Sequence, residues 1–296
     1  MTKRAVVIGI NDYSRQVPGW PDLDFCVADA GAVHHLLLDS FGFDPAGITL
    51  LTDQAASSAN IRRALAHMIA CSEPGDVAFF YYSGHGGLHP GSTAGTYYQS
   101  IAPATGRYIT DWDVAQAVDR LGPSEVNVTV MMDCCHSGGM GDVTPQGPAA
   151  KTAALTQDAL AAVVSSMRKV IPFGIGLADP ETLSNNIVTV LEAPGAVACY
   201  TEEANREFVT AAKALQYSAC RWDETAAEDG IVEHGYLTKA LIDTVDSCPF
   251  EISNVALHSS LHAKVVQLSG DDQSPVMRGQ ANRADDTFLA PFTDSR

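Results

Sequence analysis

An α/β protein built on a mainly parallel central sheet, with helices on both faces, is predicted by three observations. Short apolar runs rich in β-branched residues recur along the chain, segments of helical period separate them, and the runs stop abruptly in polar residues. Residues 127–139 (Asn-Val-Thr-Val-Met-Met-Asp-Cys-Cys-His-Ser-Gly-Gly) show the first and third together. Residues 128–132 are apolar without alternation, as in a strand buried on both faces. Residues 77–87 (Val-Ala-Phe-Phe-Tyr-Tyr-Ser-Gly-His-Gly-Gly) repeat the design and end in His85. Strands alternating with helices give a doubly wound sheet. Open sheets of this kind place ligands beyond the carboxyl ends of their strands, so Asp133, Cys134, Cys135, His136 and His85 stand where chemistry is expected.

The remaining elements follow in order. Residues 4–10 read as a first buried strand, ended by the turn-forming Asn11-Asp12. From residue 23 to about 41 the pattern is helical, with Cys26, Ala30, Val33 and Leu37 at spacings of three and four. Asp29 falls on that inward stripe. A carboxylate there is costly unless it meets a cation or hydrogen-bond donors; the alternative is a frayed first turn that leaves it wet. Residues 48–51 form a second strand. Ser57 or Ser58 caps a helix over 61–69, which Pro74-Gly75 ends. A loop rich in Gly and Ser is expected over 86–95. Thr110 caps a helix running to Leu121, broken by Gly122-Pro123. Residues 140–205 change character: small and polar residues dominate, five prolines interrupt them, and one helix is expected at 153–167. Core patterning resumes with a strand at 214–221, a helix at 234–245, a helix from the cap Ser253 to about 268, and a last strand at 286–290.

The totals narrow the function. Of the 296 residues 46% are apolar, enough for a substantial core in a single domain over 1–296. The formal charge of −17 argues against nucleic acid or an anionic membrane as partner. Seven cysteines without a C-x-x-C pair argue against a structural zinc site. The apolar stretch after Met1-Thr2-Lys3-Arg4 is too short for a signal peptide, and no run has transmembrane length. A cytoplasmic location is expected, and it would keep a thiol reduced.

Cysteine attacks only as thiolate, so a nucleophilic Cys needs a neighbouring base. Cys135, in a turn opened by Gly138 and Gly139, and His85, flanked by Gly84 and Gly86, are the candidate pair. The backbone N–H groups of Gly86 and Cys135 are candidates for an oxyanion site, each donor being worth about 3 kcal/mol in the transition state. Taken singly, the Cys-Cys pair reads more readily as two small buried residues and His85 as part of a turn; two strand ends delivering both reverse that and favour catalysis. Metal binding through His85, His89, Cys135 and His136 lacks a recognised spacing.

Tyr82-Ser83-Gly84-His85-Gly86 and Asp133-Cys134-Cys135-His136-Ser137-Gly138 resemble the paired signatures of the metacaspase and orthocaspase branch of the caspase-like cysteine peptidases. The 50 residues between His85 and Cys135 match caspase spacing. Residues 218–228 and 234–241 resemble the small-subunit signatures of the same family. The resemblance implies a caspase–haemoglobinase fold, with 1–139 large-subunit-like, 140–205 a linker or regulatory insertion, and 206–296 small-subunit-like. It implies that Cys135 attacks the scissile carbonyl, that His85 is its acid/base partner, and that Cys134 is a buried neighbour. It also maps a primary specificity pocket onto Asp29, Ser83 and Asp133, hence cleavage of protein substrates after Arg, then Lys. Two carboxylates can bind a guanidinium through charge-assisted bidentate bonds and repel an Asp side chain.

Many such relatives carry acidic calcium ligands after the Ser-Gly-His-Gly motif. Here residues 87–98 contain no acidic residue, which leaves Asp111, Asp113 and Asp142 as the calcium candidates. Six to eight oxygens are hard to assemble from three residues, so no cofactor is expected; the alternative role of Asp111 and Asp113 is to favour a helix N-terminus. Lys151, Arg168 and Lys169 lie in the 140–205 segment and match the predicted specificity, so self-cleavage there, or cleavage by an activating protease, is one expectation and a passive insertion the other. The competing reading of the whole chain is a catalytically silent caspase-like scaffold that binds a basic partner segment.

Overall fold

The computed structural model describes residues 1–16, 22–90, 97–110, 113, 114, 117, 126–134, 214–220, 224, 226–248, 251–279 and 281–292. In chain order these form β1 (Lys3–Gly9), α1 (Cys26–Asp39), β2 (Ile48–Thr52), α2 (Ser58–Ala70), β3 (Val77–Ser83), β4 (Gly86–Pro90), β5 (Tyr97–Ile101), β6 (Ile109–Thr110) and β7 (Asn127–Asp133). After the 140–205 segment come β8 (Leu215–Ser218), β9 (Glu228–Asp229), β10 (His234–Gly235), α3 (Tyr236–Ser247), α4 (Asn254–Ser269) and β11 (Val276–Arg278). Among the described residues the main sheet has the order β11-β8-β7-β3-β1-β2, parallel throughout except for the antiparallel edge strand β11.

Alternate residues of the central strands feed two cores. On one face Val6, Ile8, Phe80, Tyr82, Val128 and Val130 pack with Ile61, Leu65 and Met68 of α2. On the other, Val7, Phe79, Tyr81, Met131 and Tyr217 pack with Val33 and Leu37 of α1, Leu237 and Leu241 of α3, and Leu257, Leu261 and Val265 of α4. Every residue of β3 and β7 is buried, which is why both read as unbroken apolar runs; each aliphatic side chain so buried contributes about 1.5–3 kcal/mol. Helix α1 lies hard against the end of β1. A Cβ on Gly9 would stand 2.1 Å from the Cys26 carbonyl oxygen, so only glycine lets the helix approach this closely. Ser57 and Ser253 cap α2 and α4, accepting from Asn60 N and Ala256 N at 3.3 Å.

Three expectations are corrected. The loop expected over 86–95 begins as β4, which pairs antiparallel with β5, and β5 with β6. The Gly/Ser signal is concentrated at 91–95, outside the described residues, whereas Leu88, Tyr97 and Tyr98 have strand propensity. The strand expected at 286–290 is a turn with a single bridge, Ser253 to Thr287, and Leu289 at φ 52°. Its apolar residues report burial rather than extension, because Phe288 is a plug whose ring meets Phe41, Phe79 and Tyr217 edge-on. The last helix-forming stretch before residue 248 starts at Tyr236, two residues later than expected, because His234 and Gly235 pair with Asp229 and Glu228. Of the helix expected from Thr110, residues 113, 114 and 117 are helical, and Thr110 Oγ1 accepts from Asp113 N at 3.2 Å. The helix expected at 153–167 lies outside the described residues.

Asp76 ties the starts of β1 and β3 together, accepting from Thr2 N at 2.6 Å and Arg4 at 2.5 Å, with Glu73 N at 3.1 Å. Burial alone would raise this carboxyl; the donors outweigh burial and hold it below the ordinary carboxylate value. A lowered folded-state value means stability that is present in full above the unfolded carboxyl's value of about 3.9 and is lost as pH falls through the folded one. Wild type is therefore expected to lose more stability between pH 5 and pH 2 than Asp76→Asn does, measured as urea midpoints. Equal losses would remove Asp76 from the acid transition.

Candidate active site

Parallel pairing of β1, β3 and β7 brings Gly9, Ser83 and Asp133 into line at the carboxyl edge, with Ser83 opposite both Gly9 and Asp133. Ser83 is fully buried, and its Oγ donates to Asp29 Oδ2 at 2.6 Å. Asp29 sits in the first turn of α1 with no exposed surface. The inward reading of its helical position is the one observed, and donors compensate it: Gly235 N reaches Oδ1 at 3.1 Å and Oδ2 at 3.3 Å, and His234 Nδ1 lies 2.9 Å from Oδ1. Asp133, also fully buried, accepts at Oδ2 from Thr238 N at 3.0 Å and from Thr238 Oγ1 at 2.7 Å, and the same hydroxyl meets Tyr81 OH at 2.5 Å. Gly235 is the N-cap of α3. Both carboxylates thus face the first turn of one helix, where unpaired N–H groups and the helix dipole favour negative charge.

His85 emerges just beyond β3, buried, and its backbone is clamped. Its N–H donates to Tyr13 OH at 2.8 Å, and its carbonyl accepts from Tyr82 OH at 2.7 Å and Ala102 N at 3.0 Å. The two tyrosine hydroxyls lie 3.1 Å apart, and the Tyr13 ring is 4.5 Å from the imidazole, centroid to centroid. Burial pushes both phenols well above their ordinary value, so they stay neutral and serve as fixed dipoles. The clamp also explains Gly84: a Cβ there would come within 2.5 Å of each hydroxyl. Gly86, the next residue after His85, opens β4 opposite Ile101. Cys134 is buried at the end of β7, its carbonyl accepting a long bond from Cys220 Sγ at 3.8 Å. Cys135, His136, Asp111, Asp142, Lys151, Arg168 and Lys169 lie outside the described residues.

Sequence reasoning missed four participants. Tyr13 and Thr238 hold His85 and Asp133, and His234 pairs with Asp29. Glu228, nearly fully buried, accepts from Asp24 N at 2.7 Å, Phe25 N at 3.2 Å and Cys26 Sγ at 3.4 Å. It supplies from β9 the N-terminal cap that α1 lacks, since the N-cap residue Phe25 has no side-chain acceptor. The short hairpin β9–β10 therefore fixes both the start of α1 and the buried Asp29. Buried polar residues inside an otherwise apolar stripe, such as Thr238 on α3, were the signal available.

The calcium candidate Asp113 fits a metal poorly. Its Oδ2 already accepts from Thr110 N at 3.0 Å and Thr110 Oγ1 at 3.1 Å, and pairs with Arg62 at 2.8 Å. A guanidinium in direct contact opposes a divalent cation on the same oxygen. No helix among the described residues is long and apolar enough to cross a membrane.

Residues 3–144 match the family model for the metacaspase, peptidase C14 domain. Metacaspase-4 of Arabidopsis thaliana is 38% identical over 152 residues, covering 48% of this chain and 35% of that protein. Metacaspase-9 of the same plant is 26% identical over 319 residues, covering 97% of this chain and 96% of the relative. The chain thus spans about a third of metacaspase-4 but nearly all of metacaspase-9. In fold, it superposes on the crystal structure of protein GSU0716 from Geobacter sulfurreducens with a TM-score of 0.69 at 19% identity, covering 99% of this chain and 100% of that one.

Proposed function

We propose that this chain, whose residues 3–144 match the metacaspase, peptidase C14 domain and whose α/β fold fits the caspase–haemoglobinase class, is a metacaspase-like cysteine endopeptidase that cuts protein substrates after Arg and, less well, after Lys. The observation that carries the reading is the pair of fully buried carboxylates at the strand ends: Asp29, bonded to Ser83, and Asp133, in register with Ser83, which precedes His85 in the chain by two residues. A planar guanidinium entering there can form charge-assisted, paired bonds; an ammonium offers a point charge with less directional fit. A substrate Asp would meet like charge.

The Cys135 thiolate attacks the scissile carbonyl carbon, and His85 holds the thiol proton and returns it to the leaving amine. Water then hydrolyses the acyl-enzyme with His85 as base. The N–H groups of Gly86 and Cys135 stabilise the oxyanion. Cleavage within 140–205, at Lys151, Arg168 or Lys169, by the enzyme itself or by another protease, releases full activity. Such a thiol enzyme works in a reducing compartment, the cytoplasm.

Two measurements test this together. Fluorogenic peptides ending in Arg, Lys or Asp are expected to be cut in the order Arg, Lys, with Asp inert. An arginine chloromethylketone is expected to label Cys135, read by mass spectrometry. Labelling without turnover of any peptide would favour a scaffold that binds basic segments, and preference for Asp would overturn the pocket.

A further inference from the structure

His234 does nothing for the chemistry proposed above, yet its imidazole meets Asp29, a fully buried acid of the site. A carboxylate only accepts hydrogen bonds, so the 2.9 Å contact with Asp29 Oδ1 requires a proton on Nδ1. Among the described residues, Asp29 is shared by at least three donors: Ser83 Oγ on Oδ2, Gly235 N across both oxygens, and His234 Nδ1 on Oδ1. A carboxylate offers about four lone-pair sites, so these donors nearly fill it. A guanidinium cannot bind Asp29 in paired fashion while all three remain.

The three donors differ in whether they can leave. Ser83 is fully buried at the end of β3, and the Gly235 N–H is a backbone group at the start of α3. The His234 side chain is 21% exposed and therefore has a path to solvent. It also sits on a two-residue strand, whose side chain can turn without disturbing the sheet.

We propose that His234 is a displaceable stand-in for the substrate's basic side chain: it occupies Asp29 in the empty pocket and swings outward when a guanidinium enters. This rests on the peptidase reading and deepens it. The exchange keeps the buried carboxylate bonded at every stage, avoiding the cost of leaving such an acceptor unsatisfied. It also sets selectivity, because only a ligand that bonds Asp29 better than a histidine does can take the place. Guanidinium and amidinium groups meet that condition through paired donors; neutral side chains do not.

The test uses benzamidine, a planar amidinium, binding to the full chain carrying Cys135→Ala, so that no turnover is required. Adding His234→Ala is expected to tighten benzamidine about tenfold, the worth of one hydrogen bond to a charged group. Adding His234→Asn, which keeps a side-chain donor, is expected to leave affinity near that of the parent. Unchanged or weaker binding by the His234→Ala chain would overturn the proposal and leave His234 as a prop for Asp29. In the Cys135→Ala parent with 15N-labelled histidine, the His234 Nδ1 resonance is expected to move to a solvent-exposed value as benzamidine is added. A resonance that stays put while benzamidine binds also overturns the exchange. Failure of every chain to bind benzamidine, at any concentration tested, would instead remove the basic pocket itself.

Discussion

Cys135→Ala is expected to reduce peptide hydrolysis by about 10⁴-fold or more in kcat, and His85→Ala by a comparable factor. In the proposed dyad the two residues act as one unit, so the double variant should be little worse than either single one. His85 is an informative site for this because its surroundings hold it through the backbone: Tyr13 OH receives its N–H, and Tyr82 OH and Ala102 N bind its carbonyl. Removing the imidazole leaves those bonds intact, so His85→Ala should fold, keep its affinity for benzamidine and lose only turnover. Hydrolysis of an Arg peptide, measured with thermal melting of each variant, decides the matter. A His85→Ala enzyme with near-normal kcat would exclude the dyad, and additive losses in the double variant would mean that the residues act in separate steps.

What the sequence disclosed, and what it did not, follows from the range of the contacts involved. β3 and β7 were legible because both faces are covered, so burial and an unbroken apolar run are the same fact. Asp29 was legible because helical period put it beside Cys26, Ala30 and Val33, and all four are buried. The partners that make its burial tolerable were not legible: His234 is 205 residues away in the chain, and Glu228 reaches Cys26 across 202. A local window sees only one side of such a pair. Phe288 and Leu289 misled in the opposite sense, since a tight apolar turn and a short strand have the same composition. The hairpin from β4 to β5 was hidden because glycine and serine carried the local signal while the pairing partner lay about a dozen residues on. Cys135 as the nucleophile was inferred from its motif and from its place in the chain after β7, and it lies outside the described residues.

Asp29→Asn is expected to lower kcat/KM for an Arg peptide by about 10²- to 10³-fold, the scale on which removing one member of a buried ion pair acts. The change keeps the shape but removes the charge. It also turns one carboxylate oxygen into an amide that donates, and in either orientation that amide faces Gly235 N, which reaches Oδ1 at 3.1 Å and Oδ2 at 3.3 Å and can only donate. Asp133→Asn is expected to act in the same direction but more mildly on stability, because Thr238 Oγ1 can rotate to accept from the new amide. A charge-driven pocket predicts that the loss falls on Arg and Lys peptides and spares any uncharged peptide the enzyme cuts slowly. An equal loss on charged and uncharged peptides would assign Asp29 to holding α3 against α1, and the specificity would then have to come from another acid. Arg-to-uncharged selectivity in Asp29→Asn, set beside its melting temperature, separates the two.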